Sequence, residues 1–148
     1  MTELNPLRFA RLSPDVKAPA RKHPTDAGVD VYANETVTIP PFSAARVPTG
    51  LTFEIRPDFM LLAKPKSGSD FLLGAGVIDP GYQGEILIKV VNYSPQPVTI
   101  HRGDALAQLV QVAIFTDALE EVPVEKIHAR GSARGKDGGI VRQGDKPA

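Results

Sequence analysis

The chain has 148 residues, which fits one ordinary domain and is too short for two independent catalytic domains. It has no cysteine, which excludes disulfides, thiolate metal sites and a cysteine nucleophile, and its three histidines lie too far apart for a helical zinc motif. Its 17 basic residues balance 17 acidic ones, so we expect neither a nucleic acid nor a membrane as partner. No apolar run approaches the ~20 residues of a membrane helix, and we expect a soluble, cytoplasmic protein.

Short β-favouring runs follow one another along the chain, and 14 prolines and 13 glycines between them leave little room for long helices. The predicted strands are Leu7–Leu12, Val29–Ala33, Thr36–Ile39, Ala45–Ile55, Phe59–Lys64, Glu85–Asn92, Val98–His101 and Leu106–Phe115. The only helix candidate is a turn or two near Asp104–Gln108, and the β-branched run that follows favours a strand instead. Many short strands with regular turns predict an all-β sandwich or barrel.

The composition changes near residue 125. From Glu125 to the end there are six basic residues against three acidic ones, together with five of the 13 glycines. We therefore predict a β core over residues 1–124 and a flexible arm rich in glycine and arginine over residues 125–148. Two interpretations of the arm stay open, a disordered solubilising tail and an arm that closes over an anionic ligand.

Two polar segments near strand ends are candidates for chemistry. Asp30 lies within the apolar run Val29–Ala33, where a carboxylate is costly unless it is paired or solvated. It is either a structural carboxylate that accepts N–H groups of a loop or a functional one. The turn Pro65–Asp70 combines the cation of Lys66 with hydroxyls and a glycine, which suits a phosphate cradle and also an ordinary loop.

The most informative segment is Gly76–Ile86, where a carboxylate, a tyrosine and two further glycines lie in a turn between two apolar runs. Asp79 either opens an Asx-type turn or takes part in chemistry, and Tyr82 either packs or contacts a ligand. Gln108 also has two interpretations. It lies in an apolar run, so its amide needs a partner, which is either a backbone group or a ligand.

Four segments, in this order, resemble the motifs of the trimeric dUTPase family. They are Ala27–Ala33, Pro65–Gly68, Gly76–Glu85 and Arg102–Leu109, and the resemblance extends from about Asp26 to Gly144. It implies a β jelly roll in a homotrimer, with three active sites at subunit junctions. It also implies hydrolysis of dUTP to dUMP and pyrophosphate with Mg²⁺, which keeps uracil out of DNA and supplies dUMP for dTTP synthesis.

The resemblance also implies roles for single residues. Asp79 matches the general base that deprotonates the attacking water, and Asp30 matches a carboxylate of the metal's water shell or of the phosphate-binding network. Tyr82 matches the residue that packs under the deoxyribose, and the hairpin from there to about Leu87 would bind the uracil edge. Mg²⁺ would be held by the substrate phosphates and water, with no direct protein ligand. The other predicted substrate-binding residues are Lys66, Ser67, Gly68, Val77, Ile78, Gly84, Gln108, Arg134, Ile140 and Arg142.

The chain departs from the family pattern at several positions. Lys66 stands where arginine is usual, and the segment after Gly68 is shorter. Ala105 replaces a second basic residue of the fourth motif. The nearest match to the family's fifth motif is Arg134–Gly144, in which Ile140 replaces an aromatic residue and Arg142 and Gln143 replace two hydroxyl residues.

Two other functions on the same fold stay open. A dCTP deaminase would need an additional acidic residue and a distinctive serine-arginine stretch, and we find neither. A non-catalytic, nucleotide-sensing or protein-binding relative is conceivable because the fifth motif is altered. The presence of Asp30, Asp79 and Gln108 together favours the enzyme.

Overall fold

The computed structural model of the chain describes residues 5–74 and 76–127. Within these residues the chain forms strands β1 (Arg8–Arg11), β2 (Gly28–Tyr32), β3 (Val37–Ile39), β4 (Ala44–Pro48), β5 (Leu51–Glu54), β6 (Phe59–Lys64), β7 (Leu72–Leu73), β8 (Val77–Ile78), β9 (Leu87–Val91), β10 (Val98–Ile100) and β11 (Ala105–Ala113), and the helical turn α1 (Val124–Ile127). The all-β prediction is confirmed.

The chain divides into two units, Met1–Phe115 and Thr116–Ala148. The first contains every strand described here, and α1 belongs to the second. The boundary that we predict between residues 124 and 125 stays a prediction. Within the described part of the chain, no helix has the length and apolar character needed to cross a membrane.

The strands pair in four antiparallel sheets. The two larger ones have the orders β2-β11-β6-β8 and β4-β9-β7, and β1 pairs with β5 while β3 pairs with β10. The apolar core is a single cluster to which both larger sheets contribute, the first through Val31, Leu61 and Leu109 and the second through Val47 and Val90. The two sheets therefore bury their inner faces in one common core, as sandwiches do.

The predicted strand Ala45–Ile55 is wrong as one continuous element, because the structure divides it into β4 and β5. Gly50 lies between them with φ of 69°, in the left-handed region that favours glycine. A Cβ at this position would also lie 2.6 Å from a methyl group of Val16. Apolar and β-branched residues lie on both sides of Gly50, so strand propensity alone predicts one continuous strand.

Short elements also escaped the sequence analysis. Strands β7 and β8 have two residues each and α1 has four, too few to show a period. In the helix candidate near Asp104–Gln108, Asp104 ends a turn and the other four residues belong to β11, so the strand preference is confirmed. The Asp104 carboxylate accepts the His101 N–H at 2.8 Å and closes this turn.

Candidate active site

The turn after β8 borders a cavity of about 330 Å³, a volume within the range of small-molecule sites. The Tyr82 N–H donates to the Asp79 carbonyl at 3.1 Å and closes the turn. The Tyr82 hydroxyl donates to the Glu85 carbonyl at 2.6 Å, which holds the ring over the turn. Five predicted site residues line this cavity together: Val77, Ile78, Asp79, Tyr82 and Leu87.

Gly84, also a predicted site residue, leaves the space that the tyrosine ring occupies. A Cβ at Gly84 would lie 2.7 Å from the Tyr82 hydroxyl oxygen and 2.9 Å from the ring carbon that carries it. The ring cannot swing away without losing its hydrogen bond to the Glu85 carbonyl. The shape of this hairpin therefore depends on glycine at position 84.

Two cations that the sequence analysis did not single out also line the cavity. Arg46 on β4 and Lys89 on β9 lie directly opposite each other in the sheet, and both are exposed. Like charges in this position repel each other, and they favour an anionic ligand in the space that they share. Each lies next to a buried valine in a predicted strand. The sequence does not show that the two cations are close together, because this depends on the register between two strands that are distant in sequence.

A second group of predicted residues lies on the four-stranded sheet. Asp30 on β2 pairs with Gln108 on β11, which pairs in turn with Lys64 on β6. The Lys66 ammonium donates to Asp30 Oδ1 at 2.6 Å, and the two side chains are only 28% and 12% exposed, respectively. The Asp30 carboxylate is therefore paired, which is one of the two conditions under which its position in the strand is tolerable.

The amide of Gln108 has a backbone partner, since its Nε2 donates to the Pro65 carbonyl at 3.0 Å. Lys66 and Gln108 thus both hold the turn that presents Ser67 and Gly68. Those two residues are exposed, and a Cβ at Gly68 would meet no atom within 4 Å. The turn is open to a ligand, and its role in binding phosphate stays a prediction.

The loop before β2 lies against the same group. Ala20 and Asp30 exchange backbone hydrogen bonds of 2.7 and 3.1 Å. The His23 side chain, 3.0 Å from the Asp26 carboxylate, lowers the pKa of Asp26, and the charge of Lys66 adds to this effect. The segment just before the first motif is therefore positioned by hydrogen bonds of this loop as well as by the strand.

The two groups of site residues are far apart within one chain. Ile78, next to Asp79, pairs with Leu61 of β6, three residues from the Lys64 that shares a row with Asp30. With strands ~4.8 Å apart and a rise of ~3.3 Å per residue, Ile78 lies roughly 17 Å from Asp30 along the sheet. A single chain therefore does not bring Asp79 and the Asp30–Lys66 pair to the same phosphate group.

The family model described as dUTPase matches residues 15–139. The chain belongs to the dUTPase family. The deoxyuridine 5'-triphosphate nucleotidohydrolase of Mycobacterium marinum is 38% identical over 91% of this chain and 92% of its own. The enzyme of the same name from Nocardia farcinica is 33% identical over 94% of this chain and 89% of its own.

Solved dUTPase structures have the same fold. A variant of the dUTPase of Staphylococcus bacteriophage 80alpha, bound to dUpNHpp, aligns with a TM-score of 0.80 at 27% identity over 90% of this chain and 95% of that one. A variant of the dUTPase of phage phi11 of S. aureus, described with a structural Mg(II) ion, aligns with a TM-score of 0.74 at 29% identity over 82% and 99%.

These matches confirm that the chain is an enzyme of the dUTPase family with an all-β, jelly-roll fold. The roles of its individual residues stay predictions. Three predicted residues of the fifth dUTPase motif, Arg134, Ile140 and Arg142, lie outside the described residues.

Proposed function

We propose that this chain hydrolyses dUTP to dUMP and pyrophosphate, with Asp79 as the general base. The observation that carries the proposal is the turn from Asp79 to Tyr82, which brings a carboxylate and an aromatic ring to one cavity of about 330 Å³. The carboxylate accepts a proton from water as the water oxygen bonds to the α-phosphorus. The bond from that phosphorus to the oxygen bridging the α- and β-phosphates breaks, and pyrophosphate leaves.

The same hairpin would select the nucleotide. The Tyr82 ring, held by its bond to the Glu85 carbonyl, would pack under the deoxyribose and leave no room for a 2′-hydroxyl. Backbone groups from there to Leu87 would bind the uracil edge. Val77 and Ile78 add apolar side chains to the lining of the cavity.

Mg²⁺ fits this site as an ion carried by the substrate. In the described part of the chain, no group of three histidine or acidic side chains is arranged to hold a metal ion. A small, strongly hydrated ion bound to phosphates and water needs no such group. Asp30, with its side chain 12% exposed, would accept hydrogen bonds from the water shell. When bound, the ion would neutralise charge on the triphosphate.

We propose a homotrimer in which the Asp79 turn of one copy and the Asp30–Lys66 pair of another form one site. The distance of roughly 17 Å between Ile78 and Asp30 in a single chain supports this, because the two groups cannot serve one phosphate within that chain. Closed rotational symmetry would give three equal sites. Light scattering should give three times the chain mass, and a fully active monomer would contradict the proposal.

We propose that the arm completes the site. Arg134 and Arg142 would bind the phosphate oxygens, each in a bidentate way, and Ile140 would cover the base by apolar contact. A chain that ends at Arg130 should keep its fold and lose much of its dUTP turnover. If truncation and the changes Arg134→Ala and Arg142→Ala all leave the kinetics unchanged, the arm is only a tail.

Release of pyrophosphate from dUTP, dCTP, dTTP and UTP, with Mg²⁺, tests the central proposal. We expect dUTP to be turned over far faster than the other three nucleotides, and we expect a loss of at least ~100-fold in Asp79→Asn with binding of dUpNHpp retained. Asp58→Asn, at an exposed carboxylate near Arg56, is the matched control. Near-normal turnover in Asp79→Asn would remove Asp79 from this role. Ammonia release from dCTP would favour the deaminase, and binding without turnover the sensing relative.

We also propose that the enzyme acts in the cytoplasm, where it keeps uracil out of DNA and supplies dUMP. Cell fractionation tests the location. The uracil content of DNA in cells that lack the chain tests the role, and an unchanged content would contradict it.

A further inference from the structure

The turn between β4 and β5 is joined to the active-site hairpin by a dense set of hydrogen bonds. The Thr49 hydroxyl donates to the Ile86 carbonyl at 2.7 Å, and the Thr49 N–H donates to the same oxygen at 3.2 Å. The Ile86 N–H returns a bond to the Leu51 carbonyl at 2.8 Å. The Gly50 N–H donates to the Glu85 carboxylate at 2.9 Å. Thr49 and Ile86 are buried, so the bonds between them are shielded from water, while the Gly50–Glu85 bond is partly buried.

The conformation of Gly50 explains why its N–H group uses a side-chain acceptor. Its positive φ breaks the strand, and its N–H bonds to a side chain across the fold in place of a neighbouring strand. A charged acceptor makes a stronger bond to an N–H group than a neutral one does. The Thr49 hydroxyl also accepts the Leu51 N–H at 3.2 Å, so its orientation is fixed from two sides.

Glu85 links these hydrogen bonds to the tyrosine of the active-site hairpin. Its side chain accepts from Gly50, and its carbonyl accepts from the Tyr82 hydroxyl. The Thr52 hydroxyl adds a bond of 3.3 Å to the Gln83 carbonyl, one residue after the tyrosine. The hairpin is therefore tied to the 49–52 segment at three of its residues.

We propose that Glu85 and Thr49 are positioning residues that set nucleotide selectivity by fixing the 82–87 hairpin to the 49–50 turn. This rests on the proposed function, in which hairpin backbone binds the base and Tyr82 excludes the ribose. Both selections depend on the placement of groups to well under 1 Å, which supporting hydrogen bonds provide. The two residues act through the backbone and the tyrosine ring and do not take part in proton transfer.

Four variants test the proposal in the full chain. Glu85→Ala and Thr49→Val remove the polar groups, while Glu85→Gln and Thr49→Ser keep an oxygen in place. Matched controls are Glu54→Ala, at an exposed carboxylate paired with Arg8, and Thr38→Val, at an exposed hydroxyl paired with Thr99. For each we measure the melting temperature, kcat and KM for dUTP, kcat/KM for dCTP and UTP, and the Kd of dUpNHpp.

We expect Glu85→Ala and Thr49→Val to raise KM for dUTP by about tenfold, the size of one lost charge-assisted or buried hydrogen bond. Selectivity for dUTP over dCTP and UTP should fall by a similar factor, and kcat should change less. Glu85→Gln and Thr49→Ser should recover most of the loss, and the controls should match the natural chain. If Glu85→Ala does not fold, Glu85→Asp is used in its place. Its side chain is one methylene shorter, and we expect the same rise in KM and the same fall in selectivity.

A purely structural role would give a different result. The melting temperature and the active fraction would fall, but KM, selectivity and the Kd of dUpNHpp would stay at their natural values, and this outcome would overturn the proposal. Failure of the proposed function is separate, because it would appear in the natural chain as an absence of pyrophosphate release from dUTP.

Discussion

The ion pair between Asp30 and Lys66 invites a double-mutant cycle, because the sequence alone assigns Lys66 to phosphate whereas the structure directs it to a carboxylate. The changes are Lys66→Met, which keeps the length of the side chain without its charge, and Asp30→Asn, which keeps its shape. Each single change leaves the other charge without its partner in a largely enclosed position. The double change removes both charges together.

The structure sets the expected size of the effect. The Nζ–Oδ1 distance is 2.6 Å and the side chains are 28% and 12% exposed. The burial of the pair is therefore intermediate. Exposed pairs contribute up to ~1 kcal/mol to stability, and removal of one partner of a buried pair costs ~3–5 kcal/mol. We expect each single change to lower the free energy of unfolding by about 2 kcal/mol and the coupling energy to be ~1–2 kcal/mol.

Urea unfolding at one fixed protein concentration measures these free energies, since an oligomer's stability depends on concentration. Steady-state kinetics of the same proteins separate the two roles of Lys66. If the pair holds the Ser67–Gly68 turn, KM for dUTP should rise in both single variants, and the double variant should be no worse than either. Single effects that add within ~0.3–0.5 kcal/mol would refute the coupling. A raised KM in Lys66→Met alone would restore the role as a phosphate ligand.

Three further predictions concern other positions. Gly84→Ala should lower the free energy of unfolding by about 1 kcal/mol, because its methyl group displaces the Tyr82 ring from the Glu85 carbonyl. Calorimetry checks this, with Tyr82→Phe, which loses the same hydrogen bond, measured for comparison. Phe42→Asn should raise the melting temperature by about 2–4 °C, because Phe42 is 72% exposed and has φ of 52°, and an unchanged temperature would count against backbone strain there. The Ser13 hydroxyl and the Arg102 guanidinium lower the pKa of Asp15 from 3.8 to about 2. Because the pKa is lowered on folding, the ionised Asp15 stabilises the fold at pH values above its ordinary pKa, and this stabilisation is lost as the pH falls towards 2. The melting temperatures of the natural chain and Asp15→Asn should therefore differ at pH 5 and converge as the pH is lowered. A constant difference would contradict the assignment.

Much of the fold and one half of the site could be predicted from the sequence because their signals are local. Turn residues at short intervals mark the ends of most strands, and the alternation in Ile86–Val90 marks a strand with one buried face. The turn from Asp79 to Tyr82 spans four residues, so these two residues stay close together in any fold that keeps the turn. The break at Gly50 was missed, because a single glycine among β-formers gives no sign of its φ.

The tertiary structure decided the partners of the polar groups. Lys66 meets Asp30 across 36 positions of sequence, and Glu85 meets Gly50 across 35. Arg46 and Lys89 face each other only because β4 and β9 pair in one register. A shift of one residue in this pairing would turn one of these two side chains to the opposite face of the sheet from the other. Residue types alone therefore indicate that Asp30 and Gln108 need partners, whereas strand register, which is set by burial across the whole core, determines which partners they have.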